Sequence, residues 1–156
     1  ISGILNPNTG KIECFSDRFA YVGATPLIVK GSLRENLLYG NSLVLDDGEI
    51  LELVKAYKLF IEEQEDVLNK QITNKSLSSG QMQKVSFIRA MLSNPTVLVL
   101  DESTSNLDYD SRKLINEQLK KTQLTIINST HSIEEVDYDH HLHIDILDTK
   151  RRLRIV

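Results

Sequence analysis

The chain has 156 residues, with 18 basic against 22 acidic side chains and a formal net charge of -4. This length allows one domain with a buried core, and the acidic balance gives no electrostatic footprint for nucleic acid. Cys14 is the only cysteine, which excludes a disulfide framework and favours a reducing compartment. No apolar run approaches the roughly 18 residues of a membrane span, and no secretory signal is visible.

The first third of the chain predicts two short strands and one capped helix. The strands are Lys11–Cys14 and Phe19–Val22. Ser32 is a candidate N-cap with Glu35 three residues further on, which is the spacing of a capping box. We expect Gly40 to stop this helix.

Two further helices are predicted before residue 70. Residues 47–57 form an amphipathic pattern, and a second, shorter and more acidic candidate covers 61–68. The polar stretch 69–76 is predicted to be a loop. The apolar stripe of the first of these helices consists of Ile50, Leu51 and Val54, with Leu53 or Tyr57 beside them.

Residues 77–92 predict a helix that begins at a polar turn. Ser78 is a good N-cap, Gln81 has the matching capping-box spacing, and Gly80 allows close approach of a ligand to the backbone. The free N–H groups and positive dipole end of such a helix form an anion site. Considered alone, the pattern also fits an ordinary capped core helix.

The stretch 96–100 is a short apolar run that leads directly into Asp101 and Glu102. Such a run predicts a parallel strand buried on both faces. Ligands of open parallel sheets lie beyond the carboxyl ends of the strands, which is where these two acids fall. The alternative is that the two acids merely cap a strand and start a turn.

A strand–helix–strand unit is predicted to follow. Its helix covers 109–121, with Leu114, Ile115 and Leu119 on the inner face, and its second strand covers 124–127. In a βαβ unit both strands run in the same direction. His131 is therefore expected at the same sheet edge as the two acids, although a lone histidine after a strand is usually a solvated loop residue.

The tail predicts a hairpin rather than a metal site. Three histidines lie among aspartates, which invites a zinc interpretation. Alternation is the stronger signal, because Leu142, Ile144 and Ile146 face one way and polar residues the other. Residues 151–156 are predicted to pair with this half-exposed strand.

Several of these segments resemble motifs of ATP-binding cassette (ABC) ATPases, from Ile1 to about Val136. Leu77–Gln81 resembles the signature motif, Val97–Glu102 the Walker B strand with its glutamate, and Ser105–Asp108 the D-loop. His131 resembles the switch histidine. Gly31–Gly40 resembles the segment G-[ST]-[IL]-R-E-N-[IL] of exporter-type members. Each motif is weak alone, but their order and spacing together are specific.

The resemblance implies roles at the carboxylate edge. Asp101 would be the Mg²⁺ carboxylate, acting through water, since Mg²⁺ favours one or two carboxylates plus phosphate oxygens. Glu102 would be the general base that orients the attacking water. His131 would donate to the γ-phosphate.

The resemblance also implies a site shared between two domains. The signature residues would clamp the γ-phosphate of ATP held by the opposite subunit, and Ser105 and Asp108 would lie in the loop that crosses the dimer interface. Ala24 occupies the Q-loop position, where the family usually has a glutamine that reaches toward the metal and the water. The signature residues are Ser78, Ser79, Gly80 and Gln81, and the family more often has glycine at the second of these.

The fold class implied is α/β, a P-loop NTPase-like ABC ATPase fold with a mostly parallel sheet core and a helical subdomain over about 32–92. The chain 1–156 would be a partial nucleotide-binding domain. No G-x-x-x-x-G-K-[ST] loop occurs in the sequence, and we expect it just upstream of Ile1. Without that loop, this chain alone is expected to bind ATP poorly and to hydrolyse almost none.

The predicted function is ATP hydrolysis that powers an ABC transporter, exporter-like, at the cytoplasmic side of the membrane. ATP and Mg²⁺ are the implied cofactors. A second nucleotide-binding domain and a transmembrane domain are the implied partners, and no nucleic acid is expected. One alternative is a degenerate half-site that lends its signature motif to an intact partner, and another is a soluble ABC ATPase of DNA repair or translation.

Overall fold

The computed structural model describes residues 9–11, 13, 16–60, 62, 66–131, 138–147 and 150–155. Two of the four residues of the predicted strand 11–14, Ile12 and Cys14, lie outside these residues. The elements in chain order are β1 (Phe19–Gly23), β2 (Gly31–Ser32), α1 (Leu33–Leu37), α2 (Asp47–Ala56), a 3₁₀ turn (Val67–Asn69), β3 (Gln71–Ile72), α3 (Ser79–Leu92), β4 (Val97–Asp101), α4 (Tyr109–Lys120), β5 (Thr125–Ser129), β6 (Leu142–Leu147) and β7 (Lys150–Ile155).

The central sheet contains three parallel strands in the order β1-β4-β5. Val97 pairs with Phe19 on one side and with Thr125 on the other, and Asp101 pairs with Gly23 and Ser129. This register confirms the predicted mixed α/β fold with a parallel core. It also brings the carboxyl ends of all three strands to one edge.

One face of this sheet is better covered than the other. Leu98 and Leu100 are buried on the first face. Val97 and Val99 on the second face are only half-buried, and Tyr21 beside them is 61% exposed. The prediction that β4 is buried on both faces is therefore wrong for the described residues, because α3 covers one face and the second face has no equivalent cover among them.

The helix α3 forms the centre of the core. It contacts β1 on one side and α1 and α2 on another. Val85, Phe87 and Ile88 are completely buried, and Phe87 stacks on Tyr57 with ring centroids 6.4 Å apart. A helix with apolar residues on several sides belongs in the interior. Because α3 contacts both β1 and the helices α1 and α2, it joins the sheet to the helical part of the chain.

The helix α1 begins at the predicted capping box. Ser32 accepts from the backbone N–H of Glu35, and the Glu35 carboxylate accepts from the backbone N–H of Ser32. The helix ends at Leu37, earlier than predicted, and Gly40 lies in the following turn with φ of 77°. The fully buried Asn36 donates to the Val29 carbonyl at 2.9 Å and accepts from its N–H at 2.9 Å.

The segment between α2 and α3 differs from the prediction. The α2 helix agrees, with Ile50 and Val54 buried. The predicted helix 61–68 lies partly outside the described residues, and its end is only the 3₁₀ turn, which follows Asp66 in a left-handed conformation. The predicted loop 69–76 contains β3, which pairs antiparallel with β2. Two-residue strands carry too few residues to show an alternation.

The C-terminal elements agree with the prediction to within two residues. Ile115 and Leu119 of α4 are buried, and β6 pairs antiparallel with β7 as a hairpin. In the part of the chain that the structure describes, no group of three or more His, Cys, Asp or Glu side chains comes together. No helix among the described residues has the length and apolar character to cross a membrane.

Candidate active site

The carboxyl ends of β4 and β5 bring together the two acids and the histidine. Asp101 is the last residue of β4 and its side chain is exposed at the sheet edge. The next residue, Glu102, donates its backbone N–H to the Ser129 carbonyl of β5 at 2.9 Å. His131 Nε2 lies 3.3 Å from Glu102 Oε1. The predicted grouping at one edge is therefore present in the structure.

The Glu102 backbone is held in an uncommon conformation. Its φ is 51°, in the left-handed region, which non-glycine residues seldom adopt. Ser105 donates to the Glu102 carbonyl from its backbone N–H at 3.2 Å and from its hydroxyl at 2.9 Å. Ser105, the first residue of the predicted D-loop, thus stabilises the turn that contains Glu102. The Glu102 side chain is 26% exposed.

Tyr21 contacts the predicted site, which sequence reasoning did not foresee. Its hydroxyl donates to Asp101 Oδ2 at 3.1 Å. The pKa of Tyr21 is raised, first by desolvation and then by the hydrogen bond to Asp101. The sequence signal that could have revealed this contact is the predicted strand 19–22. A long polar side chain near the end of a strand that neighbours β4 can reach Asp101.

The signature residues begin α3 as predicted. Ser78 is the N-cap and accepts from the Gln81 N–H at 3.2 Å, while Gln81 Oε1 accepts from the Ser78 N–H at 2.9 Å. Ser79 is the first helical residue and is exposed. Gly80 follows it without a positive φ. The remaining N–H groups of this turn can bind an anion.

The signature turn lies beside the D-loop of the same chain. A Cβ atom added to Gly80 would lie 3.8 Å from Leu107, 3.9 Å from the Asp108 carboxylate and 3.9 Å from the Ser111 hydroxyl. Asp108 is the N-cap of α4, and hydrogen bonds from the Ser111 backbone and hydroxyl lower the pKa of Asp108. The amino termini of α3 and α4 therefore meet at one place.

Ala24, at the Q-loop position, follows β1 directly and is half-buried. The preceding carbonyl, that of Gly23, accepts from Nε2 of the buried Gln83 at 3.0 Å. This bond ties the exit of β1 to α3. The methyl group of Ala24 offers neither a donor nor an acceptor to a ligand.

The residues at the sheet edge fit a magnesium ion that shares its shell with phosphate. Asp101 presents hard carboxylate oxygens to solvent, and Mg²⁺ is usually bound by one or two carboxylates, with water and substrate phosphates completing its shell. The backbone of the neighbouring Glu102 is held by Ser129 and Ser105, and its carboxylate contacts His131. A carboxylate in such a place can orient and deprotonate a water molecule.

The fold is a parallel α/β sheet that carries two carboxylates and a histidine at its carboxyl edge. The family model described as "ABC transporter" matches residues 1–105 of the chain. The chain therefore belongs to the ABC transporter family, and the family resemblance noted from its motifs is confirmed.

The curated relatives are ABC transporters. The chain is 36% identical over 132 residues to human ATP-binding cassette sub-family B member 5. The matched region covers 80% of this chain and 10% of that protein. It is 36% identical over 119 residues to the sublancin-168-processing and transport ATP-binding protein of Bacillus subtilis, covering 74% of this chain and 17% of the relative. A multidrug resistance ABC transporter ATP-binding and permease protein of Lactococcus lactis is 32% identical over 136 residues, covering 81% and 23%. The chain thus spans less than a quarter of the length of these relatives.

Proposed function

We propose that this chain is part of the ATP-binding and ATP-hydrolysing domain of an ABC exporter. The observation that carries the proposal is the 3.3 Å contact between Glu102 and His131, on turns that follow neighbouring parallel strands. The relatives support the direction of transport, because their names describe multidrug resistance and the processing and transport of sublancin-168.

The roles at the sheet edge follow from the chemistry of each group. Asp101 would hold Mg²⁺, which neutralises charge on the phosphates when it is bound. Glu102 would act as the general base toward the attacking water. His131, which is 96% exposed in this chain, would hold the Glu102 carboxylate in place and donate to a γ-phosphate oxygen.

The signature turn would act on a second domain of the same kind. Ser78, Ser79, Gly80 and Gln81 line the start of α3, and they would bind the γ-phosphate of ATP held opposite. Ser105 and Asp108 would connect that surface to Glu102, since Ser105 contacts the Glu102 carbonyl and Asp108 lies beside Gly80. A transmembrane domain is the further partner, and the ATP site would face the cytoplasm.

The experiment is the substitution Glu102→Gln in the full-length protein that carries this domain. An amide cannot accept the proton, so ATP turnover should fall at least a hundredfold, while ATP stays bound. Glu117→Gln is the matched control, because Glu117 is exposed on α4. The readouts are phosphate release and retention of labelled ATP.

The degenerate half-site is the second candidate, and Ala24 is the observation that favours it. If the domain is passive, the wild type and the Glu102→Gln variant should have the same ATP turnover and the same ATP retention. The transport ATP-binding proteins among the relatives favour the hydrolysing domain instead. Unchanged phosphate release in the Glu102→Gln protein would contradict the proposed function.

A further inference from the structure

Tyr21 reaches the metal carboxylate by lying along its own strand. In the register of the sheet, Tyr21 is opposite Val99, while Asp101 is opposite Gly23. The tyrosine side chain must therefore pass over residue 23 to place its hydroxyl 3.1 Å from Asp101 Oδ2.

Gly23 makes this path possible. A Cβ atom at position 23 would lie 2.8 Å from the Tyr21 hydroxyl oxygen, 3.0 Å from Cε1 and 3.2 Å from Cζ. A side chain at position 23 would force the phenol ring to move, and we expect this shift to weaken its contact with Asp101. Tyr21 and Gly23 therefore act together: Tyr21 supplies the hydrogen-bond donor, and Gly23 leaves space for the phenol ring.

The contact has a chemical consequence for Asp101. A hydroxyl that donates to Oδ2 fixes the orientation of the carboxylate and leaves Oδ1 free of this bond. Partners of this kind, one step away from a metal, orient the ligand and tune its affinity. The next residue after Gly23 is Ala24, which brings no polar group to the edge.

We propose that Tyr21 is a positioning residue that holds Asp101 in the orientation needed to bind a divalent cation with nucleotide, and that Gly23 is required for this. The inference rests on the proposed function, because it assumes that Asp101 is the metal carboxylate. Tyr21 supplies a polar contact at the edge where Ala24 supplies none.

The test measures metal binding separately from turnover. The full-length protein is titrated with Mn²⁺ in the presence of a slowly hydrolysed ATP analogue, and free Mn²⁺ is followed by its electron paramagnetic resonance signal. Tyr21→Phe removes only the hydroxyl. It should weaken Mn²⁺ binding by about tenfold, which is the lower end of the usual cost of losing an outer-shell partner. Analogue binding without metal and the melting temperature should stay as in the wild type.

Two further variants make the result specific. Gly23→Ala should weaken Mn²⁺ binding by a similar factor, and the double variant with Tyr21→Phe should be no weaker than either single variant, since both remove the same contact. Tyr39→Phe is the control, because Tyr39 is 51% exposed and stacks over Arg89 through its ring, which phenylalanine keeps.

The outcomes separate the two proposals. If Asp101→Asn weakens Mn²⁺ binding and Tyr21→Phe leaves it unchanged, the positioning role is overturned and the proposed function stands. If neither the wild type nor Asp101→Asn shows metal binding that depends on nucleotide, the proposed function fails and the role of Tyr21 fails with it. A lower melting temperature with equal losses in metal-dependent and metal-free binding would show a merely structural role.

Discussion

At the scale of single residues, Glu102 combines an uncommon backbone conformation with a proposed chemical role. Its φ of 51° costs free energy. Three backbone hydrogen bonds offset that cost: the Glu102 N–H donates to Ser129, and its carbonyl accepts two bonds from Ser105. A residue held in this way cannot easily rotate away from the edge. Its carboxylate lies 3.3 Å from Nε2 of His131.

Tyr57 gives the protein a defined sensitivity to alkaline pH. Burial raises the pKa of Tyr57 to about 12 from an ordinary value of 10.0. Because the folded state favours the neutral phenol, its contribution to stability is complete below pH 10 and is lost as the pH rises toward 12. By pH 11 the free energy of unfolding should fall by about 1 kcal/mol through this group alone.

The measurement compares denaturant unfolding of wild type and Tyr57→Phe between pH 8 and pH 11. The variant keeps the ring that stacks on Phe87 and should lose this part of the pH dependence. Tyr109→Phe serves as the reference, because Tyr109 is 76% exposed and its replacement should leave the pH profile as it is. Parallel profiles for wild type and Tyr57→Phe would argue against the raised pKa.

At the scale of elements, the signature helix allows structure and function to be separated. Gly80 lies within α3 without a positive φ, and an added Cβ would make only ordinary contacts at 3.8 Å or more. Gly80→Ala should therefore stabilise the fold by about 0.5 kcal/mol, because alanine is the better helix former. If the turn binds phosphate from a second domain, the same methyl group should lower ATP turnover at least tenfold.

Unfolding in denaturant and phosphate release by the full-length protein check the two halves of this prediction. Ser86→Ala, six residues further along the same helix and half-buried, is the control for substitution in α3. Gly80→Ala protein with normal turnover would show that the turn does not approach a ligand closely. A loss of stability would instead point to a contact within the chain.

Elements with strong local signals were predictable from the sequence, and elements without them were not. The capping box at Ser78 and Gln81 marked the start of α3, and the apolar run before Asp101 marked β4. β3 has two residues and no periodic pattern, so its pairing with β2 depends on tertiary packing. Tyr21 was missed for a related reason, since its contact requires the strand register and the space above Gly23.

At the scale of the whole molecule, Arg89 links both α1 and the loop before it to the central helix α3. Its Nε donates to the Asn36 carbonyl at 2.7 Å and one terminal nitrogen donates to the Leu27 carbonyl at 2.9 Å. Burial lowers the pKa of Arg89, and a lysine could not span both carbonyls with one ammonium group.

Arg89→Lys should lower the free energy of unfolding by about 2 kcal/mol, since a partly buried carbonyl loses its donor. Arg18→Lys is the matched control, because Arg18 is exposed and its replacement should change stability little. Denaturant unfolding monitored by circular dichroism gives both values. Equal stability of the two variants would mean that water replaces the guanidinium without cost.

From the register of the sheet we predict an order in which the molecule assembles. Phe19 pairs with Val97, so this contact closes a loop of roughly 80 residues, which is entropically costly before other contacts form. The segment that fills the loop contains α1, α2 and α3, and α3 is the element that packs on β1. We expect folding of the helices to shorten the effective loop before Gly23 and Asp101 become neighbours. A chain that has folded only part of the way would then lack the edge at which Asp101, Glu102 and His131 meet.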